Sequence, residues 1–417
     1  SQEEKQAALD ESIWVLAQEA EKQLYSWYID EALRESAELL GLSADEVIQG
    51  GFKIYTAYDA RLQTIADEVY ADSSFFPAAA SDGTPIQSAM ALVDTNNGAV
   101  LAMIGGRDYT VRRGLNRATQ MRRQPGSALK PLAVYGPALE LGYTTASVLL
   151  DEKTSFGGYT PRNAGDRYYG LVTMRTAIRN SLNTTAVRLL EEIGLDASIQ
   201  YLNKMGIPTR NSDRNLSLAL GSMTYGVTPV ELAAAYVPYA NGGIYHQPYC
   251  VERIETVDGS NVYERKDSGK QVLSAQNAFL MTSLLQSVVS SGTGTRMLAA
   301  NTPIAGKTGT VSMTGGNRDI WMTAYTPEIS VAVWMGYDQT DAKHKISNGI
   351  TGGRNTASLA AAFFKKAYAD REKPDFSQPD GLVWLTLDKR ALTSRGSIML
   401  ASDKTPKEYR VSELFGA

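Results

Sequence analysis

The sequence predicts an α/β protein of the α+β type, in which helices cover a central antiparallel sheet of about five strands. Two apolar hairpin patterns lie far apart in the chain, at 90–104 and at 320–335. A further strand pattern lies at 307–310, and helical patterns fill much of 127–300. Strands near both ends of a chain with helices between them imply one antiparallel sheet, together with a helical sub-domain.

The first hairpin pattern consists of two apolar runs around a turn. Met90–Asp94 and Ala99–Ile104 flank the dipeptide Asn97-Gly98. Asn-Gly supplies the positive φ angles that a two-residue turn needs, so the pattern is a strong hairpin signal. The second pattern has the same parts, namely the runs Ile320–Tyr325 and Ile329–Met335 on either side of Thr326-Pro327-Glu328.

Spacing and composition predict the other elements. Residues 1 to about 48 are rich in Ala, Glu, Gln and Leu and predict helices on an exposed N-terminal arm. Their apolar residues at helical spacing are Ile13, Leu16, Leu33, Leu39 and Leu40. Phe52–Tyr58 predicts a strand because it is rich in β-branched and aromatic residues. The predicted helices are Ala60–Tyr70, Thr173–Ile193, Pro229–Ala240 and Ala275–Ser290.

Changes in composition divide the chain into three parts. Residues 1–86 are expected to form an N-terminal arm and linker region, 87–371 the main domain, and 372–417 a C-terminal linker and tail. Residues 372–381 contain Pro374, Pro379 and Gly381, which is typical of a linker, and the tail beyond them predicts short strands.

Composition excludes several classes of function. The net charge is -4 and no Lys/Arg block is present, so nucleic acid is not an expected partner. Cys250 is the only cysteine, which excludes an internal disulfide, and His246 and His344 are the only histidines. We therefore expect no metal site, no cofactor and no Ser-His-Asp triad. If the protein is an enzyme, its base is expected to be a residue other than histidine.

No apolar run is long enough to span a membrane, and Ser1 does not open a signal peptide. The chain starts without Met. We therefore expect a processed or excised chain from which targeting information has been removed.

The segment Arg122–Pro131 holds the spacing that points to chemistry. Pro125-Gly126 interrupts the chain, and Pro131 limits how far upstream a helix can extend. Ser127 is therefore expected on the first helical turn, with Lys130 on the same face and within reach of its hydroxyl. A lysine can deprotonate a serine when burial and a neighbouring like charge lower its pKa. By itself S-x-x-K is weak evidence, because a polar helix start with a solvated lysine is the usual explanation.

Two further motifs strengthen the prediction. Ser181-Leu182-Asn183 offers a hydroxyl and an amide on a loop or helix cap, where a capping serine is the ordinary alternative. Lys307-Thr308-Gly309-Thr310 predicts a strand whose glycine marks the close approach of a ligand, or else a bulge. In this order the three motifs match the S-x-x-K, S-D-N and K-T-G set of β-lactamases and penicillin-binding proteins, with Leu182 in place of the middle Asp.

On these residues the sequence resembles the class A penicillin-binding proteins from about Gly50 to Tyr368, which is most of the chain. Further similar stretches are Asn116–Gln120, Ala219–Gly221, Ala240–Gly243, Ser291–Thr295, Asn317–Trp321 and Tyr325–Pro327. The resemblance implies a β-lactamase/transpeptidase-like fold, with a penicillin-binding transpeptidase domain at 87–371. It also implies a D,D-transpeptidase that cross-links peptidoglycan stem peptides and is acylated and inhibited by β-lactams.

The resemblance implies a role for each motif residue. Ser127 would attack the penultimate D-Ala carbonyl of a stem peptide, and Lys130 would take the serine proton. Ser181 would relay a proton to the leaving amine, with Lys307 keeping the local field positive. The implied substrate-binding residues are Asn183 for the substrate amide, Thr308 and Thr310 for the carboxylate, and Gly309 between them on the same strand. The backbone N–H groups of Ser127 and Thr310 would form the oxyanion hole.

The sequence also departs from the family pattern. Class A members carry an N-terminal membrane anchor and a glycosyltransferase domain, and this sequence has neither. We expect both in the parent protein, which would be extracytoplasmic and associated with the cell membrane, and we expect no polymerising activity of this chain. Ala324 stands before Tyr325 where the family usually has glycine, with no expected effect on the chemistry.

Three alternatives stay open on the sequence. A serine β-lactamase needs a second base to activate water, and no acidic residue lies between Asp213 and Glu231, where comparable spacing would place one. A D,D-carboxypeptidase is harder to exclude, because groove shape decides between water and an amine. A non-catalytic cell-wall or β-lactam sensor domain could keep the same serine.

Overall fold

The computed structural model describes residues 26–416 and is built around a five-stranded antiparallel sheet. The strands, in spatial order, are β10 (Ala305–Met313), β11 (Gly316–Tyr325), β12 (Ile329–Gly336), β2 (Gln87–Asp94) and β3 (Val100–Ile104). Both predicted hairpins and the K-T-G strand are therefore confirmed, and β12 joins them by pairing with β2 from Ile329↔Asp94 to Gly336↔Gln87.

The two faces of the sheet are covered by different helices. Alternate residues of β2 point to opposite sides: Ala89 and Ala91 join one apolar cluster, whereas Met90 and Leu92 join the other. The first cluster contains α8 (Pro229–Ala240) and α9 (Ala275–Ser291), and the second contains α3 (Ala60–Ala71) and α10 (Ala357–Ala367). Because both faces are buried, these strands read as nearly continuous apolar runs.

A helical part of the domain carries the first two motifs. Its helices are α4 (Gly136–Glu140), α5 (Met174–Arg179), α6 (Asn183–Ile193) and α7 (Leu195–Lys204). A small hairpin of β4 (Val148–Asp151) and β5 (Gly170–Thr173) packs beside it. The single helix predicted at Thr173–Ile193 was wrong, because Ser181 has a φ of 55° and separates α5 from α6.

The N-terminal helix α1 (Trp27–Leu40) is packed against the domain, so the expectation of an exposed arm was wrong for these residues. Tyr28 is 1% exposed, and its hydroxyl donates to the Val100 carbonyl at 2.7 Å. Of the predicted apolar positions, Leu39 is 37% exposed, whereas Leu33 and Leu40 are half-buried. Ile13 and Leu16 lie outside the described residues.

The strand predicted at Phe52–Tyr58 is present as β1 (Lys53–Thr56), which follows the short helix α2 (Ala44–Gln49). It pairs with β7 (Val251–Glu255) in a sheet that β8 (Asn261–Glu264) completes. A two-stranded pair of β6 (Ile244–Tyr245) and β9 (Lys270–Gln271) lies apart from both sheets.

The tail folds back onto the helical part of the domain. It contains the antiparallel strands β13 (Leu382–Asp388) and β14 (Arg410–Gly416), with α11 (Arg390–Arg395) between them, which confirms the predicted strands. Glu413 is 2% exposed and pairs with Arg175 at 2.7 Å, and Thr145 donates to the Leu414 carbonyl at 2.8 Å. The tail therefore shares a buried ion pair with α5.

The turn of the first hairpin differs from the prediction. Gly98 has a φ of 79°, as expected, but Asn97 is not in the left-handed region, and the connection occupies residues 95–99 rather than two residues.

Within residues 26–416 no helix combines the length and the apolar character that a bilayer crossing requires.

Candidate active site

The S-x-x-K segment is a tight, irregular helical segment that lies against β10. A 3₁₀ turn at Gly126–Leu129 is followed by a π-helical turn at Pro131–Tyr135, which leads into α4. Gly126 has a φ of 56°, and a Cβ atom there would lie 2.7 Å from the Thr310 carbonyl oxygen. Only glycine therefore allows the Ser127 turn to approach the K-T-G strand this closely.

The hydrogen bonds of the Lys130 amine go to the second motif. Lys130 is 0% exposed, and its Nζ donates to the Ser181 carbonyl at 2.7 Å, the Leu182 carbonyl at 2.9 Å and Asn183 Oδ1 at 2.7 Å. Among the described residues the Ser127 hydroxyl makes no hydrogen bond, so the approach of the Lys130 amine to this hydroxyl stays a prediction. The segment thus brings the Lys130 amine to the S-x-N motif.

Ser181 joins the two lysines of the site. Its Oγ accepts a hydrogen bond from Lys307 Nζ at 2.8 Å and lies 3.4 Å from Lys130 Nζ. A serine with positive φ is uncommon and strained. This conformation of Ser181 separates α5 from α6 and places its hydroxyl between the two lysine amines. The predicted loop position of Ser181 is confirmed, and one hydroxyl contacts both amines.

Burial lowers the pKa of both lysines. The pKa of Lys130 is held well below its usual value by burial and then by the charge of Lys307, while the Asp151 carboxylate opposes this shift. Three oxygen acceptors around Lys130 Nζ also favour its ammonium form, but complete removal from water beside a second amine is the larger effect. Burial lowers the pKa of Lys307 to about 7. A neutral amine able to accept a proton is therefore accessible near neutral pH.

The K-T-G motif lies in β10, as predicted, and its side chains are held by neighbouring loops. The Thr308 hydroxyl contacts the Thr293 hydroxyl at 2.8 Å, and the Gly352 N–H donates to Thr310 Oγ1 at 3.3 Å. A Cβ atom at Gly309 would lie 2.3 Å from the Pro125 carbonyl oxygen. The backbone that approaches this glycine therefore belongs to the S-x-x-K segment, where a ligand or a bulge was expected.

Asn183 is oriented by contacts at both ends of its amide. Its Oδ1 accepts from Lys130, and its Nδ2 donates to the Arg162 carbonyl at 2.7 Å. The amide NH₂ has two hydrogens, so one donor stays available to a ligand. The first N–H groups of α6 are bonded by Asn163, whose Oδ1 accepts from Asn183 N at 2.7 Å and Thr184 N at 3.3 Å.

Sequence reasoning missed three residues that surround the motifs. Asn163 bonds to Asn183 N and Thr184 N of the S-x-N motif and the start of α6, and Asp151 bonds to Asn163. The Tyr236 hydroxyl donates to the Ala128 carbonyl at 2.6 Å, next to Ser127. The signal for Asp151 was slight, since it is one acidic residue that ends an apolar run. Tyr236 lies inside an apolar helix, and no local pattern distinguishes it from other core residues.

The site supplies the Ser127 hydroxyl, the buried amines of Lys130 and Lys307, and the Ser181 hydroxyl that contacts both amines. Groups of these kinds suit nucleophilic acyl transfer. Within the described part of the chain, no three His, Cys, Asp or Glu side chains come together in a group able to hold a metal ion.

A comparison with protein-family models decides the relationship. Residues 88–369 match the penicillin binding protein transpeptidase domain. This chain belongs to that family. The recognition from its motifs as the transpeptidase domain of a class A penicillin-binding protein is thereby confirmed.

Relatives of known sequence agree with this assignment. The chain is 40% identical over 335 residues to penicillin-binding protein 1F of Bacillus subtilis (strain 168), covering 79% of this chain and 46% of that protein. It is 36% identical over 359 residues to penicillin-binding protein 1A of Clostridium botulinum (strain Langeland / NCTC 10281 / Type F), covering 82% and 42%. The chain thus spans less than half the length of these relatives.

Solved structures share the fold. Penicillin-binding protein 1A from Haemophilus influenzae superposes with a TM-score of 0.77 at 23% identity, covering 99% of this chain and 79% of that one. PonA1 from Mycobacterium tuberculosis, in complex with penicillin V, gives a TM-score of 0.72 at 24% identity, covering 84% and 95%. The predicted α/β fold with its central antiparallel sheet is confirmed.

Proposed function

We propose that this penicillin-binding domain is a D,D-transpeptidase that cross-links peptidoglycan stem peptides through an acyl-Ser127 intermediate. The observation that carries the proposal is the meeting of two buried lysine amines at one hydroxyl, with Lys307 Nζ 2.8 Å and Lys130 Nζ 3.4 Å from Ser181 Oγ. This junction joins the S-x-N motif to β10, the strand that the Ser127 turn contacts, and we expect the peptide substrate to bind there.

Acylation begins with proton transfer from the Ser127 hydroxyl to neutral Lys130. The serine oxygen bonds to the penultimate D-Ala carbonyl carbon, and the backbone N–H groups of Ser127 and Thr310 stabilise the oxyanion, a contribution of about 3 kcal/mol per donor. The peptide C–N bond then breaks, and Ser181 passes the proton to the departing D-Ala amine. Lys307, when protonated, stabilises the negative charge that develops during these steps.

Deacylation transfers the acyl group to an amine on a stem peptide of a neighbouring peptidoglycan strand. The amine nitrogen bonds to the acyl carbon, its proton returns through the same lysine and serine groups, and the Ser127 ester C–O bond breaks. Asn183 would bond the substrate amide, while Thr308 and Thr310 would bind the terminal carboxylate beside Gly309. The Thr308 hydroxyl is already oriented by its contact with Thr293.

β-Lactams are expected to acylate Ser127 as mimics of the D-Ala-D-Ala terminus. The M. tuberculosis relative PonA1 has been solved in complex with penicillin V, which supports this expectation for a chain of the same fold. A fluorescent penicillin should therefore label the protein covalently at one label per chain. Ser127→Ala should abolish labelling, and label that persists in this variant would assign the nucleophile to another residue.

Hydrolysis of the acyl-enzyme distinguishes the alternatives. A serine β-lactamase needs a second base to activate water, a Glu in class A β-lactamases, and the two acidic groups nearest in sequence to the expected position are engaged elsewhere. Asp213 accepts bonds from Thr224 and from Arg210 N, and Glu231 is paired with Arg122. Slow release of the label would support a transpeptidase, and rapid release a β-lactamase.

Product analysis with a D-Ala-D-Ala stem peptide and an added amine separates the other two alternatives. Cross-linked product supports transpeptidation, hydrolysed peptide alone supports a D,D-carboxypeptidase, and labelling without turnover of the peptide supports a sensor domain. We further propose that the domain works outside the cytoplasm, in a parent protein with a membrane anchor and a glycosyltransferase domain.

A further inference from the structure

A buried carboxylate lies below the S-x-N motif and has no part in the mechanism above. Asp151 ends β4 and is 0% exposed. Its Oδ2 accepts from Tyr169 N at 2.9 Å, and its Oδ1 accepts from Asn163 Nδ2 at 2.7 Å and from the Thr184 hydroxyl. Burying a carboxylate is costly unless it is well bonded, and three donors meet that need here.

Asn163 extends this bonding to the active site. Helix α6 begins after Leu182, which has no side chain able to cap it. Asn163 supplies the missing acceptor, bonding Asn183 N at 2.7 Å and Thr184 N at 3.3 Å through Oδ1. Its own amide is held by Asp151 and by the Arg167 carbonyl at 2.9 Å. Asp151 therefore fixes, through one residue, the backbone that aims Asn183 Oδ1 at Lys130.

Asp151 also acts on Lys130 by its charge. The ionised groups that influence Lys130 are Lys307, on β10, which lowers its pKa, and Asp151, on β4, which raises it. Asp151 also raises the pKa of the Tyr135 hydroxyl, one turn beyond Lys130, although burial is the larger cause there. Helix α6 packs against β4, and its Arg188 pairs with Glu152 rather than with Asp151. The Glu152 side chain is 52% exposed.

We infer that Asp151 is a positioning residue of this active site and the counter-charge of the Lys130 amine. Together with Asn163 it holds the start of α6 so that Asn183 faces Lys130, and its carboxylate stabilises the ammonium that forms when Lys130 takes the Ser127 proton. The inference rests on the proposed function, because it assumes that proton transfer. It assigns the two residues a role that none of the three motifs contains.

The test measures the second-order rate constant of acylation by a fluorescent penicillin from about pH 5 to pH 9, together with melting temperatures. Asp151→Asn removes the charge, so the pKa of Lys130 falls further. The acidic limb of the pH–rate profile, where the rate falls as Lys130 becomes protonated, should then move to lower pH by about one unit. The plateau rate above this limb should fall at least about tenfold, because Lys130 is a weaker base. Glu152→Gln, the adjacent exposed carboxylate, is the matched control and should leave limb and plateau unchanged.

Asn163→Ala separates position from charge and serves if Asp151→Asn does not fold. It should lower the plateau about tenfold with the limb unmoved, whereas a wild-type rate would overturn the inference. A folded Asp151→Asn protein whose acidic limb stays in place would also overturn it, since a purely structural residue would not move that limb. Wild-type protein that is not labelled at Ser127 would instead contradict the proposed function itself.

Discussion

Lys307 Nζ donates a hydrogen bond of 2.8 Å to Ser181 Oγ, and this contact joins the K-T-G strand to the S-x-N motif. The two residues are 126 positions apart in the chain, one on β10 and one at the break between α5 and α6. Lys130 Nζ lies 3.4 Å from the same hydroxyl, so a change in the protonation of Lys130, Lys307 or Ser181 alters the proton affinity of the other two groups.

Acylation is expected to depend on pH through two limbs. Lys130 must be neutral to accept the serine proton, so the rate should fall at acid pH as Lys130 becomes protonated. Lys307 supplies positive charge only below its pKa of about 7, so the rate should fall again above neutral pH. Second-order rate constants of penicillin acylation report these groups in the free protein. A rate that climbs steadily into the alkaline range would contradict a role for charge on Lys307.

Stability is expected to rise with pH through Lys307. Between its folded pKa of about 7 and the ordinary value of 10.5, the unfolded chain binds a proton that the folded chain does not. Lys307→Met removes this dependence, so the variant should exceed the wild type in free energy of unfolding below pH 7, by an amount on the order of a few kcal/mol. The difference should shrink toward about pH 10. Urea unfolding at several pH values checks it, and a constant difference would be evidence against a lowered pKa.

Lys130→Ala should retain the fold and lose acylation. The substitution removes the proposed base, so the rate constant should fall by at least about a hundredfold. Lys204→Ala, at an exposed lysine at the end of α7, is the matched control and should acylate normally. The measurement is penicillin labelling over time, with circular dichroism to verify folding. Normal acylation in Lys130→Ala would refute its role as base.

Gly309→Ala should displace the Ser127 turn. A Cβ atom at this position would lie 2.3 Å from the Pro125 carbonyl oxygen, so strand and turn must separate. We expect a loss of about 1–3 kcal/mol in stability and a clear loss of acylation. Gly349→Ala is the control, because no atom lies within 4 Å of a Cβ there. Equal stability and labelling in the two variants would show that the close approach is unimportant.

Some elements were predictable because their signals are local. The hairpin runs are apolar over whole strands, Thr228-Pro229 opens α8 where a cap and a proline favour a helix, and S-x-x-K places its two residues one turn apart. At Ser181 the local signals conflict, because the S-x-N motif predicted a loop or helix cap within a stretch, Thr173–Ile193, that was also predicted as one helix. Tertiary contacts from Lys307 and Lys130 accompany the strained φ that interrupts it.

The sequence by itself predicted which residues carry the chemistry, since three short motifs in a fixed order name the serines, the lysines and the strand. The tertiary structure decided how they are placed: Lys130 bonds to residues 181–183, Gly309 lies against the Pro125 carbonyl, and Asp151 bonds to Asn163, which in turn bonds to Asn183 N. The physical reason is range. Backbone preference and periodicity are read from a few neighbouring residues, whereas desolvation and hydrogen bonding depend on groups that only the packing of remote segments brings together.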